Sequence, residues 1–205
     1  FSGWNTAANG SGTPYANSAT YSFSADITLY AQWTATATPI VISAATPSNP
    51  APQIGDTITV SININISNAA LGSYTGSLDW NPAILGYQSY SGAPPTGFTG
   101  NVNTSSTATG HIAFNGANAS GATGNTIVLT ITFNVVGSGT SALDLGYSSM
   151  AAASTFVDLL PYLTITDGQV VVPAAPTHTV TFNANGGTGT MSPQVASLPT
   201  ALTAN

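Results

Sequence analysis

Thr57-Ile58-Thr59-Val60-Ser61-Ile62-Asn63-Ile64-Asn65-Ile66-Ser67 places an aliphatic residue at every second position. A strand turns successive side chains to opposite faces, so Ile58, Val60, Ile62, Ile64 and Ile66 share one face while Thr, Ser and Asn hold the other. Thr126 to Val135 repeats the device, with Ile127, Leu129, Ile131, Phe133 and Val135 in phase. Tyr74, Leu78 and Trp80 share a face, as do Ile112 and Phe114. Leu163-Thr164-Ile165, then Asp167-Gly168, then Gln169 to Val172 read as strand, hairpin turn and strand. Amphipathic helix spacing is nearly absent. Short strands separated by Gly, Asn and Pro predict an all-β sandwich.

Composition narrows the function. The 205 residues include no Lys, Arg, Glu or Cys, and Asp26, Asp56, Asp79, Asp144, Asp158 and Asp167 give a net charge of −6. An ordinary domain is about a quarter charged, which would mean roughly fifty such residues here. Without cations the chain cannot displace counterions from a phosphate backbone or bind anionic lipid electrostatically, so nucleic acid is excluded as a partner. Its Gly-rich stretches lack the lysine of a phosphate loop and read as turns. Without Cys there are no disulfides, thiolate metal sites or cysteine nucleophiles. No run of eighteen apolar residues exists, so no membrane insertion is expected. The chain opens on Phe1-Ser2-Gly3-Trp4, without a methionine or a basic leader, and reads as a segment of something longer. At 42% apolar and 9% aromatic it can build real cores. A surface of hydroxyls and amides with little charge suits an extracellular, cell-surface or cell-wall setting, and offers trypsin no site.

Two Pro-containing linkers, 34–39 and 173–177, bracket the sandwich expected over 40–172. The flanks, 1–33 and 178–205, each carry a few core residues and too few to bury them alone. In the first, Ile27, Leu29, Ala31 and Trp33 alternate across Asp26 to Trp33; in the second, His178 to Phe182 reads as a strand and Asn185-Gly186-Gly187 as a tight turn.

Val180-Thr181-Phe182-Asn183-Ala184-Asn185-Gly186-Gly187-Thr188-Gly189-Thr190-Met191 resembles the first half of the Listeria–Bacteroides repeat, the B-repeat type of internalin-like bacterial surface proteins. Phe1-Ser2-Gly3-Trp4-Asn5-Thr6 through Leu29-Tyr30-Ala31-Gln32-Trp33 resembles its second half. The halves stand in reversed order, and the segment that normally joins them is missing. That arrangement implies a cut from a tandem array in which sandwich and repeat alternate. The resemblance implies that each flank is half of a small grasp-like β domain. Either neighbouring copies supply the other half, or the chain is a window on a longer array. Under the first reading Trp4, Ile27, Leu29, Trp33, Val180 and Phe182 form an interface between units by strand addition.

The middle domain is similar to cohesin domains at Ile54-Gly55-Asp56-Thr57-Ile58-Thr59-Val60, at Leu78-Asp79-Trp80-Asn81-Pro82-Ala83-Ile84-Leu85, and at Ile165-Thr166-Asp167-Gly168-Gln169-Val170. The resemblance implies a jelly-roll sandwich related to carbohydrate-binding modules, and dockerin binding as one role of such domains. No short motif defines that face, so no binding residue is carried over.

No catalytic or cofactor residues are expected, and no enzyme. His111 and His178 lack a nearby Asp, Glu or Ser pattern for a triad, and a glycosidase would need a carboxylate pair. Structural calcium would need six to eight oxygen ligands, yet no Asp-x-Asp cluster occurs; Asp79 and Asp167 read as turn residues. Tyr87, Tyr90, Phe98 and Tyr147 fall in Gly-rich contexts and form the candidate glycan-stacking platform. Asn9, Asn65, Asn103 and Asn118 stand in Asn-x-Ser sequons. The sequence thus predicts a structural segment of a secreted tandem-repeat surface protein (adhesin, stalk or filament) that pairs with copies of itself. A carbohydrate- or dockerin-type binding module, with a surface glycan or another surface protein as partner, is the alternative.

Overall fold

The structure, a computed structural model, describes residues 1–35, 37–197 and 200–203. One residue of the expected 34–39 linker, number 36, and four of the C-terminal flank, numbers 198, 199, 204 and 205, lie outside the described residues. The chain divides into two compact units, Phe1–Thr38 and Pro39–Asn205.

The first unit is a three-stranded antiparallel sheet of β1 (Gly3–Asn5), β2 (Pro14–Tyr15) and β3 (Tyr30–Gln32), in the order β2-β1-β3. The alternation expected over Asp26 to Trp33 yields a strand only at Tyr30–Gln32. The cause is β1, whose three residues offer ladder partners to three residues and no more.

The second unit holds β4 (Ile40–Pro47), β5 (Thr57–Trp80), β6 (Leu85–Ser91), β7 (Thr99–Asn103), β8 (His111–Val135), β9 (Gly139–Ala152), β10 (Leu163–Thr166) and β11 (Gly168–Val172). These eight strands form one hydrogen-bonded system. It makes two layers because β5 and β8 each run through both. The first half of β5 pairs with β4 and with the second half of β8, giving a layer β10-β4-β5-β8-β6. The second half of β5 pairs with β9 and with the first half of β8, giving β11-β9-β5-β8-β7. Both long strands bend at one level. Asn68 in β5 and Gly121 and Gly124 in β8 have positive φ, and the ladder slips between Ile66 and Leu71. The result is the jelly-roll sandwich. Beyond it, β12 (His178–Val180) and β13 (Gln194–Ala196) pair antiparallel as a two-stranded sheet.

The alternation of the opening stretch is realised in full: Ile58, Val60, Ile62, Ile64 and Ile66 are all buried, with Leu129, Ile131 and Phe133 opposite them in β8. Ile127 is a correction. A bulge between Ile62 and Asn63 of the partner strand leaves Val128 without an opposite residue, which reverses the phase. Val128 is therefore buried, and Ile127 is 49% exposed. Asp167-Gly168 is a second correction, because it is no hairpin turn. β10 pairs parallel with β4 in one layer and β11 antiparallel with β9 in the other, so the chain crosses between layers there. Asp167 fixes the crossing by accepting the Leu145 N–H at 2.9 Å.

Aromatic rings fill the second layer. Gly76 lies between the cross-strand neighbours Phe114 and Tyr147, whose rings meet edge-on at 6.0 Å. A Cβ on Gly76 would stand 2.8 Å from the Phe114 ring and 2.9 Å from that of Tyr147, so the pair can close only over a glycine. Trp80 packs edge-on to Phe133 across the layers at 5.0 Å, and its Nε1 donates to the Leu85 carbonyl at 2.9 Å. The Asp79-Trp80-Asn81-Pro82 turn is held by Asn81, whose side-chain oxygen accepts the Ala83 N–H, rather than by Asp79 as expected.

One hydroxyl pair ties the layers together. Buried Ser43 of β4 lies 2.7 Å from the Asn63 carbonyl and 2.8 Å from the Tyr147 hydroxyl of β9. A carbonyl only accepts, so the single Ser43 proton goes to Asn63 and Tyr147 donates to Ser43. Ser43→Ala strands the Tyr147 hydroxyl without its acceptor and should cost about 1–3 kcal/mol, whereas Tyr147→Phe leaves Ser43 bonded and should cost about 0.5–1.5 kcal/mol. Urea denaturation of the two variants checks that order.

Burial pushes the Tyr74 phenol up to about 12. Burial also raises Tyr147, with its Ser43 hydrogen bond opposing and the Tyr74 charge adding. An unfolded tyrosine releases its proton near pH 10, so above that the unfolded chain binds fewer protons than the folded one. The stability these rings contribute is complete below about pH 10 and falls as pH rises towards 12. Urea midpoints measured from pH 8 to pH 11 should decline at the alkaline end, and Tyr74→Phe should flatten that decline.

Candidate functional site

The sheet of the first unit has one covered face and one bare face. Its covered face is organised by Asn5, which is buried on the same side as Gly3. Asn5 Oδ1 accepts the N–H groups of Ala7 and Gly12, each at 2.9 Å, and Nδ2 donates to the carbonyls of Gly10 and Gly12 at 3.1 and 3.2 Å. One amide thus satisfies four backbone groups of the loop 6–13. Thr6 Oγ1 adds a bond from the Thr13 N–H at 2.8 Å. Sequence reasoning passed over Asn5 as a functional residue, although the signal was present: an asparagine directly before a tight Gly-rich loop.

The bare face carries aromatic side chains. Trp4 stands between its in-register neighbours Tyr15 and Ala31. Phe1 meets Trp4 and Trp33 edge-on at 5.1 and 5.6 Å, and Tyr21 links Tyr15 to Phe23 at 6.1 and 5.4 Å. Phe1, Trp4 and Trp33 remain 48, 37 and 73% exposed. Contiguous exposed apolar surface of this kind makes the face the candidate interaction site. Of the residues expected between units, Trp4 and Trp33 are thus joined through Phe1, while Ile27 and Leu29 lie half-buried just before β3. Val180 is exposed on β12, and Phe182 follows it half-buried.

The four residues of the expected glycan platform do not share a surface. Phe98 is 7% exposed and packs against Tyr74 at 5.7 Å, and Tyr147 is engaged with Ser43. Only Tyr87 and Tyr90 stay together. The bulge between Tyr87 and Ser89 in β6 keeps them opposite Phe133 and Ile131, on the side of the core-facing residues. The glycines beside these residues in sequence make no room for their rings; that role belongs to Gly76 and Gly116, which lie against Phe114, Tyr147 and Tyr74.

His111 has an acidic neighbour, contrary to expectation. Its Nδ1 lies 2.7 Å from Asp79 Oδ1, because residues 32 apart in sequence are in register between β8 and β5. Asp144 of β9 is opposite Asp79 on the other side, so His111, Asp79 and Asp144 form a row across the outer face of the second layer. The pair is substantially exposed. Among the described residues no group of three or more His or Asp side chains could hold a metal ion. Asp56, Asp158 and Asp167 each accept a backbone N–H. Three sequon asparagines, Asn9, Asn103 and Asn118, accept the N–H of the serine two residues on, whereas Asn65 lies within central β5.

Asn5→Ala removes both donors and acceptors from the 6–13 loop and should destabilise the first unit by about 1–3 kcal/mol. Melting followed by Trp4 and Trp33 emission should shift down, while the sandwich transition followed by near-ultraviolet dichroism of its buried rings stays in place.

Comparison with known proteins agrees with this architecture. The Listeria-Bacteroides repeat domain matches residues 1–32. Among solved structures, the chain is similar to a non-cellulosomal cohesin from the archaeon Archaeoglobus fulgidus, with 20% identity over 67% of this chain and 93% of that one and a TM-score of 0.51. It is also similar to the sixth cohesin of Acetivibrio cellulolyticus scaffoldin B, solved in complex with a dockerin (14% identity, 65% and 99% covered, TM-score 0.54). A cohesin–dockerin complex from Clostridium thermocellum gives 15% identity, 67% and 100% covered, and a TM-score of 0.50. No curated protein matches the chain. Among the described residues no helix is long and apolar enough to cross a membrane. The chain has the cohesin-like jelly-roll fold, preceded by a segment, residues 1–32, that is similar to the Listeria-Bacteroides repeat domain.

Proposed function

We propose that this chain is a structural segment of a secreted tandem-repeat surface protein, an adhesin, stalk or filament, in which neighbouring copies complete one another's split repeat by strand complementation. The observation that carries the reading is the bare aromatic face of the first unit. A three-stranded sheet with strands of two and three residues is too small to hold that face in water unaided. The C-terminal hairpin has the converse need, with Val180 and Val195 exposed at 42 and 60% on a sheet of two strands. A surface without Lys or Arg leaves cohesion between units to strand hydrogen bonds and apolar contact, so assembly should depend little on salt.

A second reading rests on the dockerins seen bound to similar cohesins. Here a protein partner would use a sheet face of the sandwich, with the His111–Asp79–Asp144 row as its charged feature.

Sedimentation velocity and negative-stain imaging over a wide concentration range separate the two. The first reading expects end-to-end chains whose length grows with concentration and is unchanged between low and high salt. A chain that stays monomeric at every concentration overturns it and leaves the partner-binding reading standing.

A further inference from the structure

We propose that the open edge of β3 is the docking strand, and that its occupant is residues 178–182 of a second copy, added as a fourth strand. The inference rests on the assembly reading above and specifies its contact.

The first unit has two edges, and only one can accept a strand. β2 is two residues long and begins at Pro14, which has no N–H to offer a ladder. β3 pairs with β1 on one side and with nothing else among the described residues. Gln32 turns its carbonyl inward to the Ser2 N–H at 2.9 Å. Backbone directions alternate along a strand, so the N–H and C=O of Ala31 point outward from this edge. Ala31 also lies on the aromatic face, in register with Trp4. A strand added beside it would lay every second side chain over that face, next to Trp33.

The hairpin supplies a strand of matching chemistry. β12 pairs with β13 on one edge and, among the described residues, with nothing on the other. β12 ends at Val180, short of the strand expected to Phe182, and extending it by two residues on docking would set Val180 and Phe182 on one face and Thr179 and Thr181 on the other. Charge favours a second copy over an unrelated partner. The first unit has one carboxylate, Asp26, and residues 178–203 have none, so two chains of net charge −6 meet here without opposing like charges. A Lys- or Arg-rich partner would find almost nothing to pair with. Joining the three strands to the two gives a five-stranded sheet with its apolar face lined from both sides, within the usual range of sheet sizes.

The absence of native cysteine gives a clean test. Ala31→Cys and Val180→Cys, made in separate chains and mixed under mild oxidation, should give a mixed disulfide dimer in clear excess over either homodimer. Assembly should also shift Trp4 and Trp33 emission to the blue. Ala31→Pro, which removes the outward donor, should abolish both signals while the sandwich melts unchanged. Chains that assemble without the mixed dimer, and with Ala31→Pro still competent, overturn this contact and leave the assembly reading intact. Absence of assembly altogether overturns both. A mixed signal that appears within one doubly substituted monomer and does not depend on concentration shows the chain closing on its own hairpin, and overturns the second copy as occupant.

Discussion

The fold depends on one ladder, the antiparallel pairing of β5 with β8. Strands of 24 and 25 residues are several times the usual length, and neither could stay flat in one sheet. Positive φ at Asn68, Gly121 and Gly124 lets the ladder bend as a pair, and each half then carries a different set of neighbours. Both faces of the core are therefore built from the same two strands. The bulge at Val128 and the slip beyond Ile66 are consequences, because a bend shared by two strands must be reconciled by unequal residue counts. That single pairing sets Phe114 beside Gly76 and brings His111 to Asp79.

A chain without cations must also satisfy its polar groups without ion pairs between ordinary side chains. It does so with short side chains bonded to backbone. Asn5 serves four groups of one loop, Ser43 serves two layers at once, and Asp56, Asp158 and Asp167 each take an N–H. Among the described residues no buried side-chain nitrogen or oxygen lacks a partner. Hydroxyls and amides can donate and accept, so neutral groups suffice where acceptor-only carboxylates would demand cations.

Much of this was legible in the sequence because period-two alternation reports directly which residues face a core. The buried face of β5 and the Tyr74, Leu78 and Trp80 set follow from it. Alternation is silent about where the count slips, so Ile127 was assigned to the wrong face. It is equally silent about which layer the next strand joins, so Asp167-Gly168 read as a turn between partners. The four platform aromatics separate for a related reason: Phe98 packs against Tyr74 and Tyr147 turns to Ser43, contacts between residues far apart in sequence. His111 and Asp79 are distant in sequence and adjacent in register, a relation no local motif expresses.

The first unit and the C-terminal hairpin pose one physical problem in complementary forms. The sheet of the first unit has used its backbone on a single inner edge and its polar loop on a single face, leaving an edge and an aromatic face unspent. The hairpin has, among the described residues, an unpaired edge and exposed valines, with no carboxylate in residues 178–203. A solitary protein would blunt such features with lysines, the usual guard on exposed strands. Here that guard is missing from the whole chain. The composition that removes nucleic acid and lipid surfaces from consideration therefore also leaves the strand edges undefended. An edge without lysines beside an apolar face is open to strand addition, the contact that the proposed assembly uses.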